Sequence, residues 1–130
     1  MNTDIGLRGN VAVTEAIIGA AFRVANTLGS GFLEKVYENA LAIELREKHH
    51  RVEQQKAIEV WYKEQMIGLY QADLIVDDAV VVELKAVSGL HRTHRAQCLN
   101  YLRATKMETG LVINFGSPRI DIQRVTAAVY

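Results

Sequence analysis

The chain has 130 residues, and 49% of them are hydrophobic. This length and composition fit one folded domain with one core, and they exclude a disordered chain. Lysine and arginine together number 15, as do aspartate and glutamate, so the formal net charge is zero. Overall charge therefore does not indicate a nucleic-acid-binding protein, and any anionic partner has to be held by a local basic patch.

Three features of the sequence bear on where the protein works. Cys98 is the only cysteine, which excludes an internal disulfide and fits a reducing compartment. The first eight residues lack the basic start and apolar core of a signal peptide. No apolar run approaches the roughly 20 residues that span a bilayer. We therefore expect a cytoplasmic protein with no membrane partner.

Two helices are predicted in the first part of the chain, after a loose lead-in over residues 1–12. Apolar residues recur at helical spacing over residues 13–28, and Gly29 and Gly31 end that helix. The second helix is predicted over residues 32–48. Its apolar face consists of Leu33, Val36, Tyr37, Ala40, Leu41 and Leu45.

Two glutamates of the second helix have different expected environments. Glu34 falls inside the apolar arc, between Leu41 and Leu45 on the helix surface. A carboxylate in that place is costly unless something pairs with it. Glu38 lies away from the centre of the arc and is expected to be solvated.

The middle of the chain predicts an antiparallel meander of three strands, over residues 52–62, 66–76 and 79–86. The second and third strands are apolar and β-branched, except where Asp73, Glu83 and Lys85 interrupt them. Glu83 and Lys85 share a face because strand side chains alternate.

The loop between these two strands decides whether Asp73 joins Glu83. Opposed residues of an antiparallel pair share a face, and Asp73 opposes Glu83 only about a centre at residue 78. This requires an odd loop such as Asp77, Asp78 and Ala79, whereas a two-residue turn would put Asp73 on the other face. We predict the odd loop.

The last part of the chain predicts a helix over residues 92–106, a buried strand over 111–115 and a final edge strand over 120–129. The order of elements is two helices, three strands, one helix and one or two strands. This order predicts a single α/β domain over residues 13–130 with a mixed sheet.

One spatial scheme accounts for the polar residues that break the apolar patterns: Glu34, Asp73, Glu83, Lys85, Gln97 and Tyr101. Three carboxylates suit Mg²⁺ or Mn²⁺, which take oxygen ligands, and the Leu84 carbonyl could supply another. Such an ion polarises a phosphoryl oxygen and generates hydroxide from water, while Lys85 stabilises the developing charge. The alternative is that Glu83 and Lys85 form a solvated pair, with the other residues at an ordinary surface.

A basic segment precedes and continues into the predicted last helix. Arg92, His94 and Arg95 lie at its start, and Arg103 and Lys106 follow. These side chains, with the free backbone N–H groups of a helix start, can hold phosphates. A solvated basic helix that balances acids elsewhere is the alternative, and the sequence does not decide between the two.

Three aromatic residues lie in the first two strands: Trp61, Tyr62 and Tyr70. Packing in the core or on the sheet surface is the favoured interpretation, with stacking on nucleic-acid bases as the alternative. Cys98 has no partner arrangement for nucleophilic catalysis and is expected to be structural.

Several motifs together resemble one protein family. Gly31, Glu34 and Tyr37 match Gly-x-x-Glu-x-x-Tyr, the motif that names the GxxExxY proteins, a bacterial and archaeal group within the PD-(D/E)XK nuclease superfamily. The other matches are Asp73 with Glu83-Leu84-Lys85 for Asp…Glu-x-Lys, Gln97 and Tyr101 for Gln-x-x-x-Tyr, and the turn over residues 114–118. The resemblance covers roughly residues 14–125, and Ala25 and Ser30 depart from the usual histidine and proline.

The resemblance implies a restriction-endonuclease-like fold, a mixed β-sheet flanked by α-helices. It implies Glu34, Asp73 and Glu83 as metal ligands and Lys85 as the catalytic lysine. Tyr37, Gln97 and Tyr101 would support the site or contact substrate.

The expected function is a nuclease that uses Mg²⁺ or Mn²⁺ to hydrolyse phosphodiester bonds of nucleic acid, DNA rather than RNA. One alternative is a catalytically silent nucleic-acid-binding or assembly module that keeps the fold. Another is a structural protein in which a buried Glu34 pairs with Lys85. A homodimer is plausible because the predicted sheet has exposed edges.

Overall fold

The structure, a computed structural model, describes residues 3–127, with side chains described from Asn10 onward. The helices of this part of the chain are α1 (Thr3–Leu28), α2 (Glu34–Glu47) and α3 (Arg92–Thr105). Its strands are β1 (Val52–Tyr62), β2 (Gln65–Val76), β3 (Val80–Lys85), β4 (Thr109–Asn114) and β5 (Asp121–Thr126).

The strands form one sheet in the order β1-β2-β3-β4-β5. β1, β2 and β3 are successively antiparallel, β4 is parallel to β3, and β5 is antiparallel to β4. The parallel step requires a crossover, which α3 provides between β3 and β4. The predicted α/β class, with a mixed sheet flanked by helices, is confirmed, and β5 occupies the predicted edge.

The helices cover opposite faces of the sheet and create two apolar clusters. α1 and α2 pack with Val80, Val82 and Leu84 of β3. α3 packs on the other face with Val81 of β3 and Val112 of β4. Because strand side chains alternate, Glu83 points to the α3 face of the sheet.

α1 begins at Thr3, so the predicted lead-in over residues 1–12 is wrong from Thr3 onward, and Met1 and Asn2 lie outside the described residues. Gly6 and Gly9 each disfavour a helix by about 1 kcal/mol. The Asn10 side-chain amide donates to the hydroxyl oxygen of Thr109 in β4 at 3.2 Å, which ties α1 to the sheet at this point. The helix extends beyond the apolar repeat from which it was predicted.

α1 also contains a stretch, Asn10–Leu28, that is long and apolar enough to cross a membrane by length and composition alone. This corrects the expectation that no apolar run approaches that length. Ile17, Ala20 and Ala21 are fully buried in the cluster that α1 forms with α2 and the sheet. Packing in a protein core is thus a sufficient reason for the apolar composition of this helix.

The buried face of α2 differs from the predicted one. Leu33 and Val36 are exposed, and the buried residues are Tyr37, Glu38, Leu41, Ala42 and Leu45. Leu33 has extended backbone angles and caps the helix, so it does not belong to the helical surface from which the arc was counted.

The other predicted boundaries agree with the structure to within a few residues. β1 matches its prediction, β2 begins one residue earlier, at Gln65, and β4 begins at Thr109 rather than at 111. β5 ends at Thr126, and the predicted end at Val129 lies outside the described residues.

β1 and β2 extend well beyond the rest of the sheet. β2 pairs with β3 only from Leu74 to Val76, whereas it pairs with β1 along its whole length. Residues 56–71 therefore project as a two-stranded ribbon, here called the projecting hairpin. It carries several exposed apolar side chains: Trp61, Tyr62, Met66, Ile67, Leu69 and Tyr70.

Candidate functional site

The β2–β3 hairpin has the predicted odd loop. Val76 opposes Val80, Ile75 opposes Val81 and Leu74 opposes Val82, so the centre of the turn is at residue 78. The next pair in this register is Asp73 with Glu83. The predicted register is confirmed.

The turn of this hairpin is tied to the segment that follows α2. Asp77 and Asp78 both have positive φ angles, of 53° and 52°. The Arg51 backbone N–H donates to Asp77 Oδ1 at 2.8 Å, and His50 Nδ1 lies 2.7 Å from Asp77 Oδ2. His50 and Arg51 therefore hold the loop that sets the register of Asp73 and Glu83.

Asp73 and Glu83 are each held by the backbone of the other strand. Asp73 Oδ2 accepts a hydrogen bond from the Leu84 N–H at 2.7 Å. Glu83 Oε1 accepts one from the Asp73 N–H at 3.2 Å. Glu83 is only 4% exposed, whereas Asp73 is half-buried. The two carboxyl groups therefore lie side by side at the point where β2 and β3 separate.

Both carboxyl groups have raised pKa values. Burial, and next the negative charge of Asp73, raise the pKa of Glu83 to about 8. Burial also raises the pKa of Asp73, although the hydrogen bond from the Leu84 N–H opposes this. Two acids that are costly to ionise together form a place where a cation would be stabilised.

Glu38 is the acid of α2 that is linked to Asp73 by hydrogen bonds, through Gln55. Its side chain is 3% exposed and accepts hydrogen bonds from Gln54 at 2.7 Å and from Gln55 at 2.6 Å. The Gln55 amide nitrogen also lies 3.2 Å from Asp73 Oδ1, so Gln55 bridges the two acids. The expectation that Glu38 is solvated is wrong, because the two glutamines of β1 compensate for its burial.

The sequence contained a signal for Glu38 that the helical arc obscured. Glu38 and Leu45 are seven residues apart, which places them within about 20° of each other around a helix. Leu45 is fully buried. A glutamate one heptad before a core leucine, opposite a strand with two consecutive glutamines, indicates a buried and hydrogen-bonded acid.

Glu34 has a different environment from the one expected. It is exposed in the first turn of α2, so its predicted burial in an apolar arc is wrong. Its negative charge acts on His94 of α3. Across residues 10–127, where side chains are described, no ion pair joins Glu34 to Lys85. The alternative of a structural Glu34–Lys85 pair therefore has no support.

Lys85 ends β3 and is held in place through β4. It lies opposite Asn114, and its carbonyl accepts the Phe115 N–H at 2.8 Å. The buried Asn114 side chain accepts from the Val87 N–H at 3.0 Å and donates to the Val87 carbonyl at 2.9 Å. Asn114 thereby fixes the chain just after Lys85, a role that the sequence did not predict.

α3 brings three predicted residues to the same side of the sheet as Glu83. The Gln97 amide donates to the Tyr101 hydroxyl at 3.0 Å, and Tyr101 is 5% exposed. Burial, and next the negative charge of Glu83, raise the pKa of Tyr101. Partial burial, and next the positive charge of Lys85, lower the pKa of His94. Gln97, Tyr101 and His94 thus line the α3 side of the acid pair.

Arg92 and Arg95 are exposed on the first turn of α3, and Arg95 does not join this group. The Arg95 guanidinium points to β5, where it lies 3.4 Å from Gln123 Oε1 and from the Arg124 carbonyl oxygen. Arg95 therefore stabilises the packing of α3 on β5.

Tyr37 has a structural role in the α1–α2 loop. Its hydroxyl donates to the Gly29 carbonyl at 2.6 Å and accepts from the Phe32 N–H at 3.2 Å. Its ring stacks on Phe115 with a centroid distance of 4.5 Å. Tyr37 is fully buried, and these contacts fix the loop that precedes α2.

The donor set around Asp73 and Glu83 fits a hard divalent cation by its chemistry. Carboxylate and carbonyl oxygens are the ligands that Mg²⁺ and Mn²⁺ prefer. Asp73 and Glu83 provide two carboxylates, and Glu38 adds a third acid through Gln55. Within the described part of the chain, no three His, Cys, Asp or Glu side chains already surround one point.

The fold and this site together define a class of protein. A mixed sheet with helices on both faces carries an acid on one strand of a hairpin and Glu-x-Lys on the next, the arrangement of a nuclease-type α/β domain. A family model described as the PD-(D/E)XK nuclease superfamily matches residues 11–125, and the chain belongs to this superfamily.

Solved structures support the same fold. The crystal structure of SSO0001 matches with a TM-score of 0.56 and 18% sequence identity, over 75% of this chain and 52% of that chain. This chain therefore spans about half the length of that protein. No curated protein matches the chain in sequence. Nucleases of this superfamily generally use divalent metal ions.

Proposed function

We propose that the protein is a metal-dependent nuclease that hydrolyses phosphodiester bonds, in DNA rather than RNA, and that it is one of the GxxExxY proteins. The observation that carries this proposal is the pair formed by the half-buried Asp73 and the buried Glu83, next to Lys85. Both acids have raised pKa values, and nothing in a purely structural hairpin requires two such carboxyl groups to lie together. A cytoplasmic location also stays a prediction.

Asp73, Glu83 and the Leu84 carbonyl would hold Mg²⁺ or Mn²⁺. When bound, such an ion supplies polarisation of a phosphoryl oxygen and acidification of water. Lys85 would stabilise negative charge on the phosphate. The hydrogen bond from Gln97 would orient the Tyr101 hydroxyl for the same site.

The contribution of α2 to metal binding is open to two assignments. The family motif implies Glu34, which is exposed. The hydrogen bonds of Gln55 favour Glu38, because they fix its carboxylate relative to that of Asp73. We propose that Glu38 positions Asp73 and that Glu34 has the weaker effect on metal affinity.

The test is cleavage of single- and double-stranded DNA and RNA with Mg²⁺ or Mn²⁺, by the wild type, Lys85→Ala and Asp73→Ala. We expect cleavage by the wild type and a loss of at least a hundredfold in both variants. Lys48→Ala, which removes an exposed lysine at the end of α2, is the matched control. Equal cleavage by all four proteins, or by none, would contradict the catalytic proposal.

One observation favours a catalytically silent binding or assembly module. The carboxylate of Glu38 already accepts hydrogen bonds from Gln54, Gln55 and Lys35, which leaves it less free to bind a metal. Calorimetric titration with Mn²⁺ separates the alternatives. A nuclease centre should bind the ion and lose this binding in Glu83→Ala, whereas a silent module should show no binding in either protein.

A further inference from the structure

A groove of about 990 Å³ lies between the projecting hairpin and α3. The hairpin contributes Trp61 and Tyr70, α3 contributes His94, Tyr101 and Arg103, and Lys106 follows the end of α3. Part of the basic segment and two of the three aromatic residues that the sequence left without an assigned partner therefore meet on one surface.

Two residues that line the groove, Tyr101 and His94, also lie on the α3 side of the acid pair. Tyr101 forms part of the groove lining, and the charge of Glu83 acts on the Tyr101 hydroxyl. His94 lines the same groove, and the charge of Lys85 acts on its ring. Glu83 and Lys85 are not among the described residues that line the groove, so a chain lying in it would contact the α3 residues next to the acid pair.

The aromatic residues of the hairpin are available for stacking. Trp61 is 58% exposed and Tyr70 is 50% exposed. Tyr70 also lies next to Tyr101, with ring centroids 5.7 Å apart and an interplanar angle of 47°. Exposed aromatic rings along a groove are a platform on which unpaired bases stack, whatever their sequence.

The charge of the groove is complementary to a phosphate backbone. Arg103 and Lys106 are exposed on α3, and His94 adds a further nitrogen donor. Among the residues described along the groove, one is acidic, Glu59. The groove is thus locally basic in a chain of zero net charge, which is the local patch that an anionic partner requires.

We propose that this groove binds a single-stranded segment of nucleic acid next to the scissile phosphate, with bases on Trp61 and Tyr70 and phosphates near Arg103 and Lys106. This rests on the proposed nuclease function and adds the substrate class. Bases inside a duplex are stacked on each other and cannot lie on the rings, so the groove selects an unpaired strand. A protein partner is less well matched, because the exposed Ile67 and Leu69 do not line the groove.

The chain has a single tryptophan, Trp61, whose emission therefore reports on the groove directly. Wild-type protein kept metal-free with EDTA is titrated with oligothymidylate and, separately, with a blunt duplex. We expect quenching by the single strand and at least tenfold weaker binding of the duplex. The absence of metal prevents cleavage, so binding is measured independently of catalysis.

Variants locate the binding. Tyr70→Ala should weaken oligothymidylate binding about tenfold. Arg103→Ala and Lys106→Ala, at exposed positions where the fold is not at risk, should each weaken binding and reduce the salt-dependence slope by about 0.7. The control is Tyr62→Ala, which removes a ring of the same hairpin that is 60% exposed and does not line the groove.

Each outcome is decisive for the groove or for the enzyme. Equal affinities of Tyr70→Ala and Tyr62→Ala, or equal quenching by single strand and duplex, overturn the groove proposal even if the protein cleaves DNA. If Trp61 emission changes with protein concentration alone and sedimentation shows a dimer, a second copy of the chain occupies the groove, and the proposal is also overturned. Selective binding without cleavage in Mg²⁺ supports the groove and refutes the nuclease.

Discussion

The protonation of Glu83 gives the sharpest prediction, because its consequence for stability has a definite sign. The pKa of Glu83 in the folded protein is about 8, against an ordinary value of 4.5. Between these two values the folded state holds a proton that the unfolded state has released. The free energy of unfolding of the metal-free protein must therefore fall as the pH rises from 4.5 to 8.

The magnitude follows from the same two values. A difference of one pH unit corresponds to about 1.4 kcal/mol, so full ionisation of Glu83 costs on the order of 4 to 5 kcal/mol. The raised pKa of Asp73 acts in the same direction. For a domain of this size the loss is a large fraction of the total stability.

Urea unfolding in EDTA at pH 5 and pH 8 measures this effect. We expect the wild type to be less stable at pH 8 by about 4 kcal/mol, and Glu83→Gln to lose much less because the amide stays neutral. Glu47→Gln, at an exposed position of α2, should behave like the wild type. Mg²⁺ at a hundred times its dissociation constant should restore about 2.7 kcal/mol at pH 8. Equal pH dependence in the wild type and Glu83→Gln would refute the buried-acid interpretation.

Three further predictions concern the backbone and α2. An added Cβ at Gly116 would overlap the Val87 backbone, so Gly116→Ala should lower the free energy of unfolding measured in urea by about 3 kcal/mol. The control is Gly89→Ala, which should change this free energy little because there is open space around Gly89. Glu64 has a φ of 64°, a conformation that glycine adopts without strain. Glu64→Gly should therefore stabilise the fold by about 1 kcal/mol and raise the melting temperature, and a lower melting temperature would contradict this. In a calorimetric Mn²⁺ titration, Glu38→Gln should weaken Mn²⁺ binding more than Glu34→Gln. The reverse order would favour Glu34 as the residue of α2 that contributes to metal binding.

The hairpin register could be predicted from the sequence because it depends on parity. Side chains alternate along a strand, so the number of loop residues decides which residues face each other, and three misplaced charges were enough to choose the odd loop. Helix periodicity likewise assigned Gln97 and Tyr101, four residues apart, to one face of α3, where they are hydrogen-bonded. Local periodicity carries such information without knowledge of the rest of the fold.

Glu38 and Asn114 could not be placed in this way. The environment of Glu38 depends on Gln54 and Gln55, which reach it only after the sheet has packed on α2. Asn114 acquires its role from Val87, a residue brought beside it by the parallel pairing of β3 and β4. Helix periodicity can indicate that Glu38 is buried, but the hydrogen-bond partners of Glu38 and of Asn114 are long-range contacts that local patterns do not identify.

The position of Asp73 depends on a break in the alternation of β2. Leu74 packs with α1 and α2, but Ala72, two residues away, packs with α3, although strict alternation would place both on one face. Opposite this step, Gln55 of β1 has a positive φ of 52°. The pairing of β1 and β2 is therefore irregular where Asp73 lies, and there Asp73 is hydrogen-bonded both to Gln55 and to the Leu84 N–H. Beyond this irregularity Ile58 and Ala72 both pack on the α3 side, so the projecting hairpin that forms one wall of the groove begins next to the strand position that carries Asp73.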